Sequence, residues 1–296
     1  MTKRYVVTGR EGQVVRSLIE RASTYADIEV IPLGRPELDL ASPLTVAAAL
    51  EAARPDVVIS TAAYTAVDQA ESEEALASVI NAEAPGVIAA TAKRLGVPLV
   101  HISTDYVFDG EKSTPYHEND AVAPLGAYGR TKWAGELAVA SATENYAILR
   151  TAWVYSPYGK NFLRTMLRLA ETRDNISVVA DQVGNPTSAL DIADGILQVA
   201  GNLCASNASH LRGVFHMTAA GEASWADFAS EIFRHSAHHS GPSASVNRIT
   251  TKDYPTPAKR PKNSRLNCTK LSSTHEVILP CWRASTEAIV ASLVTQ

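Results

Sequence analysis

Lys3-Arg4-Tyr5-Val6-Val7-Thr8-Gly9-Arg10-Glu11-Gly12-Gln13-Val14-Val15 is the stretch that decides the fold. Its β-branched run predicts a strand. Gly9 and Gly12 then predict a tight turn into a helix carrying Val15, Leu18 and Ile19. Small residues there let backbone N–H groups approach a pyrophosphate at the helix N-terminus. Val15 stands where the longer dinucleotide fingerprint has a third glycine. The match is therefore to Gly-x-x-Gly, a pattern that an ordinary βα turn also meets.

Strand and helix signals alternate onward from this unit. Glu29 to Leu33 reads as a second strand, ending in Gly34-Arg35. Dinucleotide folds often carry an acid here for the ribose hydroxyls, but no carboxylate appears before Glu37. Arg35 offers a fork of donors to a 2′-phosphate instead, so NADP(H) is expected over NAD(H). Asp39 or Ser42 is placed to cap a helix starting near Pro43 and running through Val46, Leu50 and Ala53. Strands follow at 55–60, 99–103 and 146–150, with a long helical region from Glu73 to Leu95. Near-continuous apolar strands spaced by helices predict a parallel sheet covered on both faces. Ligands of such sheets lie beyond the carboxyl ends of the strands. Gly9, Gly12, Arg35, Ala63 to Thr65, Thr104, Asp105, Thr151 and Trp153 all fall at those ends.

Tyr128 and Lys132, four residues apart at the start of a predicted helix, can share one helix face. A free phenol titrates near 10, and a neighbouring lysine cation favours the phenolate, lowering that value by about 1–3 units. Tyr128 is thus a candidate general acid/base, with significance drawn from the dinucleotide turn upstream.

Beyond about residue 155 the pattern loosens into helices at 161–171, 188–200 and 225–235, short strands near 176–179 and 214–217, and a polar loop at 181–187. The expected organisation is a doubly wound Rossmann-type α/β domain over residues 1–155, to which some later segments return, and a smaller mixed α/β substrate domain over 156–296. The basic, proline-rich segment Tyr254 to Arg265 is a candidate clamp for a diphosphate. A formal net charge of −4 argues against a nucleic-acid partner. No run of about 18 apolar residues predicts a membrane span, and the N-terminus enters a strand without a leader pattern. Cys204, Cys268 and Cys281 are too scattered for a disulfide framework or zinc site, so a reduced, cytoplasmic protein is expected. His235, His238 and His239 read as a solvated helix end without a carboxylate in register, not as a metal site.

Several of these segments recur in one family. They are Gly9 to Val14, Ala63-Tyr64-Thr65-Ala66-Val67-Asp68-Gln69-Ala70-Glu71, Ser103-Thr104-Asp105-Tyr106-Val107-Phe108, Tyr128-Gly129-Arg130-Thr131-Lys132, Trp153-Val154-Tyr155, Asp181 to Thr187, and Arg260-Pro261-Lys262-Asn263-Ser264-Arg265-Leu266. In these, and in their order, the chain resembles the dTDP-4-dehydrorhamnose reductases of the extended short-chain dehydrogenase/reductase superfamily. The resemblance implies reduction of the C4 ketone of dTDP-4-dehydro-L-rhamnose to dTDP-L-rhamnose by NADPH, or by NADH, in nucleotide-sugar biosynthesis. It implies Tyr128 as proton donor, Lys132 holding the nicotinamide ribose and lowering the Tyr128 pKa, and Thr104 orienting the carbonyl. Asp105 would bind a sugar hydroxyl or tune the Tyr128 proton, and Trp153 would pack on the sugar. Arg260 and Asn263 would also bind substrate. Gly12, Gln13, Val14, Asp39, Leu40, Ala63, Tyr64, Thr65 and Ile102 fall at the family's cofactor positions.

Some members bridge subunits with magnesium held by glutamates. Ser17 and Leu190 occupy those positions here, so no metal is expected, while a homodimer is left open. An epimerase or 4,6-dehydratase would share Thr104, Tyr128 and Lys132, but a dehydratase typically has Asp-Glu after the Thr, where this chain has Asp105-Tyr106. A reductase of another dTDP-4-keto-6-deoxyhexose, or a non-catalytic regulatory subunit on the same fold, are the alternatives.

Overall fold

The computed structural model describes residues 2–295. Strand β1 (Lys3–Thr8) leads through the glycine turn into α1 (Gln13–Ala22), then β2 (Ile28–Leu33), α2 (Leu44–Ala53) and β3 (Val57–Ser60). Short helices α3 (Val67–Ala70) and α4 (Glu74–Ser78) and a π turn (Val79–Glu83) run into α5 (Ala84–Leu95). Next come β4 (Leu99–Thr104), α6 (Ala127–Ala142), β5 (Tyr146–Thr151) and β6 (Val154–Tyr155). The remaining elements are α7 (Phe162–Ala170), β7 (Asn175–Val179), β8 (Val183–Gly184), β9 (Thr187–Ser188), α8 (Ala189–Ala205), β10 (Gly213–His216), β11 (Ala223–Ser224), α9 (Trp225–His238), β12 (Ser245–Ile249), α10 (Thr269–His275) and α11 (Trp282–Val294).

Six strands form one parallel sheet in the order β10-β5-β4-β3-β1-β2. Alternate strand residues are buried on opposite faces, which is why the strands read as unbroken apolar runs. Val7, Ile59, Val100 and Leu149 pack with Val15 and Leu18 of α1 and Ile192 and Ile196 of α8. On the other face Val6, Val58, Leu99 and Ile148 pack with Leu50 of α2 and Ile88 and Ala92 of α5. A separate core joins Leu163, Met166, Phe228, Ile232, Trp282 and Ile289 of α7, α9 and α11. The strand order reverses between β1 and β3, and that switch point opens the crevice where such sheets bind ligands.

Local expectations needed correction. Ile19 is 41% exposed and Ser17 is buried in its place, so the inner face of α1 is Val15, Ser17, Leu18 and Ala22. Neither Asp39 nor Ser42 caps α2 with its side chain. The Asp39 carboxylate instead accepts from the Ala41 N–H at 3.0 Å, and Thr45 Oγ1 donates to the Ser42 carbonyl at 2.9 Å. The 181–187 loop is partly ordered: β8 pairs with β11, and β9 with β6. The continuous helical run Glu74–Leu95 is long and apolar enough by length and mean hydropathy to cross a membrane, although polar residues such as Asn81 and Glu83 interrupt any unbroken apolar run in it. Its buried Ala84, Ile88, Ala89 and Ala92 make it a core helix here. His235 is buried rather than solvated, and the carboxylate of Glu231, one turn earlier, lies 3.2 Å from its Nε2.

Candidate active site

The amino-terminal turn is built to leave donors free. Gly9 takes φ +102, and α1 starts at Gly12 with no side chain capping it. Its first-turn N–H groups therefore face the crevice, the arrangement that binds a phosphate. Thr8 Oγ1 accepts from the backbone of Thr61 and Ala62 at 3.0 and 3.2 Å, locking the ends of β1 and β3 together. The Gln13 side chain accepts from Ser156 Oγ at 2.8 Å and Asn161 Nδ2 at 3.0 Å, which ties the turn to the loop before α7.

Across the crevice, α6 is drawn against the end of β4. A Cβ at Gly129 would stand 2.2 Å from the Tyr106 carbonyl oxygen, so only glycine permits this approach. Glu71 accepts from the Ala127 N–H at 2.8 Å and so caps α6. Tyr128 is thereby brought edge-on to Tyr106, with ring centroids 5.5 Å apart, and within hydrogen-bond reach of the Thr104 hydroxyl. Thr104 Oγ1 donates to Asp105 Oδ1 at 3.0 Å, while Asp105 Oδ2 is buried without a partner among the described residues. Lys132 is 3% exposed; its ammonium donates to the Ile102 carbonyl at 2.7 Å and lies 3.5 Å from His101 Nε2.

The titration of these groups departs from expectation. Burial and the charge of Asp105 push the Tyr128 phenol up to about 12, against a smaller opposing effect of the Thr104 hydrogen bond. The spacing argument, with Lys132 lowering this pKa, does not hold in the protein alone, because the ammonium is turned to the Ile102 carbonyl. Tyr128 is held as an acid, the state a proton donor requires. Burial brings Lys132 down to about 8 and raises Asp105 to about 6.

A cleft of about 760 Å³ collects Gly9, Gly12, Gln13, Val14, Ala63, Thr65, Ile102, Thr104, Asp105, Tyr128, Lys132, Trp153 and Arg260. Five expected residues do not line it. Arg35 is exposed beyond β2. Asp39 turns back on Ala41, and Leu40 is buried in the core under α2. The Tyr64 phenol donates to Glu73 at 2.7 Å, away from the cleft, although its backbone N–H is held by the buried Asn81 at 2.8 Å. Asn263 donates to the Lys112 and Thr114 carbonyls and accepts from Arg265, which shapes the loop rather than the cleft. Arg260 reaches the cleft already paired with Asp68 at 2.8 Å.

Trp225 and Asn81 escaped the sequence reading, and Thr151, placed there at a strand end, was given no role. Trp225 stacks on Trp153 with centroids 3.5 Å apart and planes 7° from parallel, and both line the cleft. Its available signal was an aromatic directly after the helix-capping Ser224. Thr151 Oγ1 is buried at the cleft wall with no partner among the described residues. The open N–H turn and these unpartnered polar atoms fit a dinucleotide with a polar co-substrate.

Residues 3–295 match the family model described as the RmlD substrate binding domain. A dTDP-4-dehydrorhamnose reductase of Sinorhizobium fredii is 48% identical over 293 residues, 99% of this chain and 98% of that protein. The crystal structure of the dTDP-4-dehydrorhamnose reductase of Bacillus anthracis in complex with NADP superposes with a TM-score of 0.91 at 35% identity, covering 99% of this chain and all of the other. A probable dTDP-4,6-dihydroxy-2-methyloxan-3-one 4-ketoreductase of Streptomyces antibioticus is 41% identical, over 95% of this chain and 92% of that one.

Proposed function

This chain belongs to the family of the dTDP-4-dehydrorhamnose reductases, and from that premise we propose that it reduces the C4 ketone of dTDP-4-dehydro-L-rhamnose to dTDP-L-rhamnose with NADPH. The observation that carries the reading is the convergence of Thr104, Tyr128 and Lys132 on one wall of the cleft that begins at the glycine turn. Bound NADPH supplies the hydride to the carbonyl carbon. The first-turn N–H groups of α1 hold its pyrophosphate, and Lys132 holds its nicotinamide ribose. Thr104, its hydroxyl turned from Asp105 to the substrate, donates to the ketone oxygen and fixes it against Tyr128, whose hydroxyl gives up the proton as negative charge develops there. Asp105 Oδ2, unpartnered among the described residues, accepts from a sugar hydroxyl. Trp153, backed by the Trp225 ring, presents a flat face to the sugar. Arg260 holds the diphosphate while Asp68 orients its guanidinium.

The test is NADPH consumption with enzymatically made dTDP-4-dehydro-L-rhamnose, followed by identification of the product. Formation of dTDP-L-rhamnose supports the reading, and NADPH binding without turnover of this sugar overturns it. The Streptomyces relative favours one second reading, a 4-ketoreductase of a differently deoxygenated dTDP-sugar. The same assay with that substrate separates the two. Three free cysteines agree with a reducing, cytoplasmic setting.

A further inference from the structure

The carboxyl end of β2 is where dinucleotide folds read the adenosine ribose, through an acid for a 2′-hydroxyl or a nearby arginine for a 2′-phosphate. Gly34 occupies that end and has no side chain to offer. The space is filled from the adjoining turn between β1 and α1. A Cβ at Gly34 would stand 3.0 Å from Arg10 Cγ and 3.4 Å from Arg10 Cδ, so the Arg10 side chain lies over position 34. Arg10 itself sits in the phosphate turn between Gly9 and Glu11, two residues of the cleft wall. The Gly9 N–H donates to the Leu33 carbonyl at 2.6 Å and fixes the turn to the end of β2.

Arg10 has a carboxylate on it. Its Nη2 donates to Glu37 Oε2 at 2.7 Å, and this is the single hydrogen bond its guanidinium makes among the described residues. Both side chains are about half exposed, at 43% and 54%, so the pair is solvated and exchangeable. Arg35, the arginine that sequence alone pointed to, is exposed, with no hydrogen bond or ion pair among the described residues.

We propose that Arg10 is the residue that reads the 2′-phosphate of NADPH, and that Glu37 is the internal competitor it releases on binding. The assignment rests on the reading of the chain as an NADPH-dependent reductase. NADPH brings a dianionic group to a fork that matches it, and Arg10 exchanges one carboxylate for two or more phosphate oxygens. NADH has no such group, and Arg10 stays on Glu37. Preference between the two cofactors is then a competition between Glu37 and phosphate for one guanidinium.

The experiment measures Kd of NADPH, NADH and 2′,5′-ADP on the sugar-free protein by nicotinamide fluorescence and calorimetry. For Arg10→Gln the expected result is NADPH and 2′,5′-ADP binding weakened about 10- to 100-fold, with NADH within about 3-fold. For Glu37→Gln, NADPH and 2′,5′-ADP tighten about 2- to 5-fold and NADH is unchanged. In the double variant the Glu37 effect disappears, because the group it competes for is gone. Equal weakening of NADPH and NADH by Arg10→Gln would assign Arg10 to the shape of the turn and overturn the proposal. So would loss of NADPH affinity in Arg35→Ala with none in Arg10→Gln, or a Glu37→Gln protein that binds NADPH as before. A wild-type protein that binds NADPH by this pattern but does not turn over the sugar would sink the reductase reading alone.

Discussion

Asp105→Asn should stabilise the protein at neutral pH while impairing it. Asp105 is 3% exposed, and burial raises its carboxyl to about 6 from an unfolded value near 3.8. A carboxyl whose folded pKa is raised costs stability wherever it must ionise in the fold. Its contribution is most favourable below about pH 4 and is lost as pH rises through about 6. A shift of that size corresponds to about 3 kcal/mol at pH 7.5. Asparagine removes this cost. It keeps an acceptor for the Thr104 and Ser264 hydroxyls, and its amide replaces an oxygen that had no partner. The buried amide protons take back about 1 kcal/mol, leaving a net gain of about 2 kcal/mol, or about 3 °C in Tm for a chain of this length. At pH 5 the wild-type carboxyl is mostly protonated, and the gain falls below about 1 kcal/mol. Urea unfolding at the two pH values, with m unchanged, measures both quantities. If the variant is less stable at pH 7.5, or its gain is the same at pH 5, the buried, uncompensated carboxylate is not what the geometry implies. On the proposed role, kcat/KM of the same variant falls about 10-fold or more, the stability–activity exchange expected of a functional site.

Tyr128→Phe should lower kcat by about 10²- to 10⁴-fold with NADPH affinity and Tm close to wild type; a loss under about 3-fold would remove Tyr128 as proton donor. Because burial brings Lys132 to about 8, kcat/KM should decline as pH rises through about 8, where the ammonium loses its proton. A flat profile to pH 9 in the wild type would refute that assignment. Glu136→Ala leaves Arg150 buried beside an empty space, because the two side chains are each 2% exposed and pair at 2.7 Å. It should cost about 3–5 kcal/mol in urea unfolding, and a cost under about 1 kcal/mol would contradict a buried pair. Gly129→Ala forces a methyl to within 2.2 Å of the Tyr106 carbonyl, so α6 must move; kcat should fall by at least about 10-fold while NADPH still binds.

What could be read from the sequence divides by how many elements fix a residue. The six-stranded sheet was legible because its inner strands are buried on both faces by their own apolar runs, as in Val57 to Ser60. Tyr128 and Lys132 were legible because one helix turn sets their spacing. The hydrogen bonds of Asn263 were not legible because its partners, Lys112 and Thr114, come from a distant loop that no local pattern announces. Trp225 was missed for the same reason, since its stack on Trp153 joins two segments that meet only in the folded chain. The phenol of Tyr128 is the sharpest case. Local spacing puts a cation one turn away and predicts a lowered pKa. The fold instead gives that cation the Ile102 carbonyl and sets a carboxylate at the end of β4 near the phenol. Spacing within an element can therefore nominate an acid, but the sign of its shift belongs to the charges that other elements deliver. A ligand that draws Lys132 from Ile102, or neutralises Asp105, would restore the lowered value in the complex. Tyr128 should accordingly titrate near 12 in the free protein and measurably lower with cofactor and sugar product bound. An unchanged phenol in that ternary complex would mean Lys132 does not act on it at all.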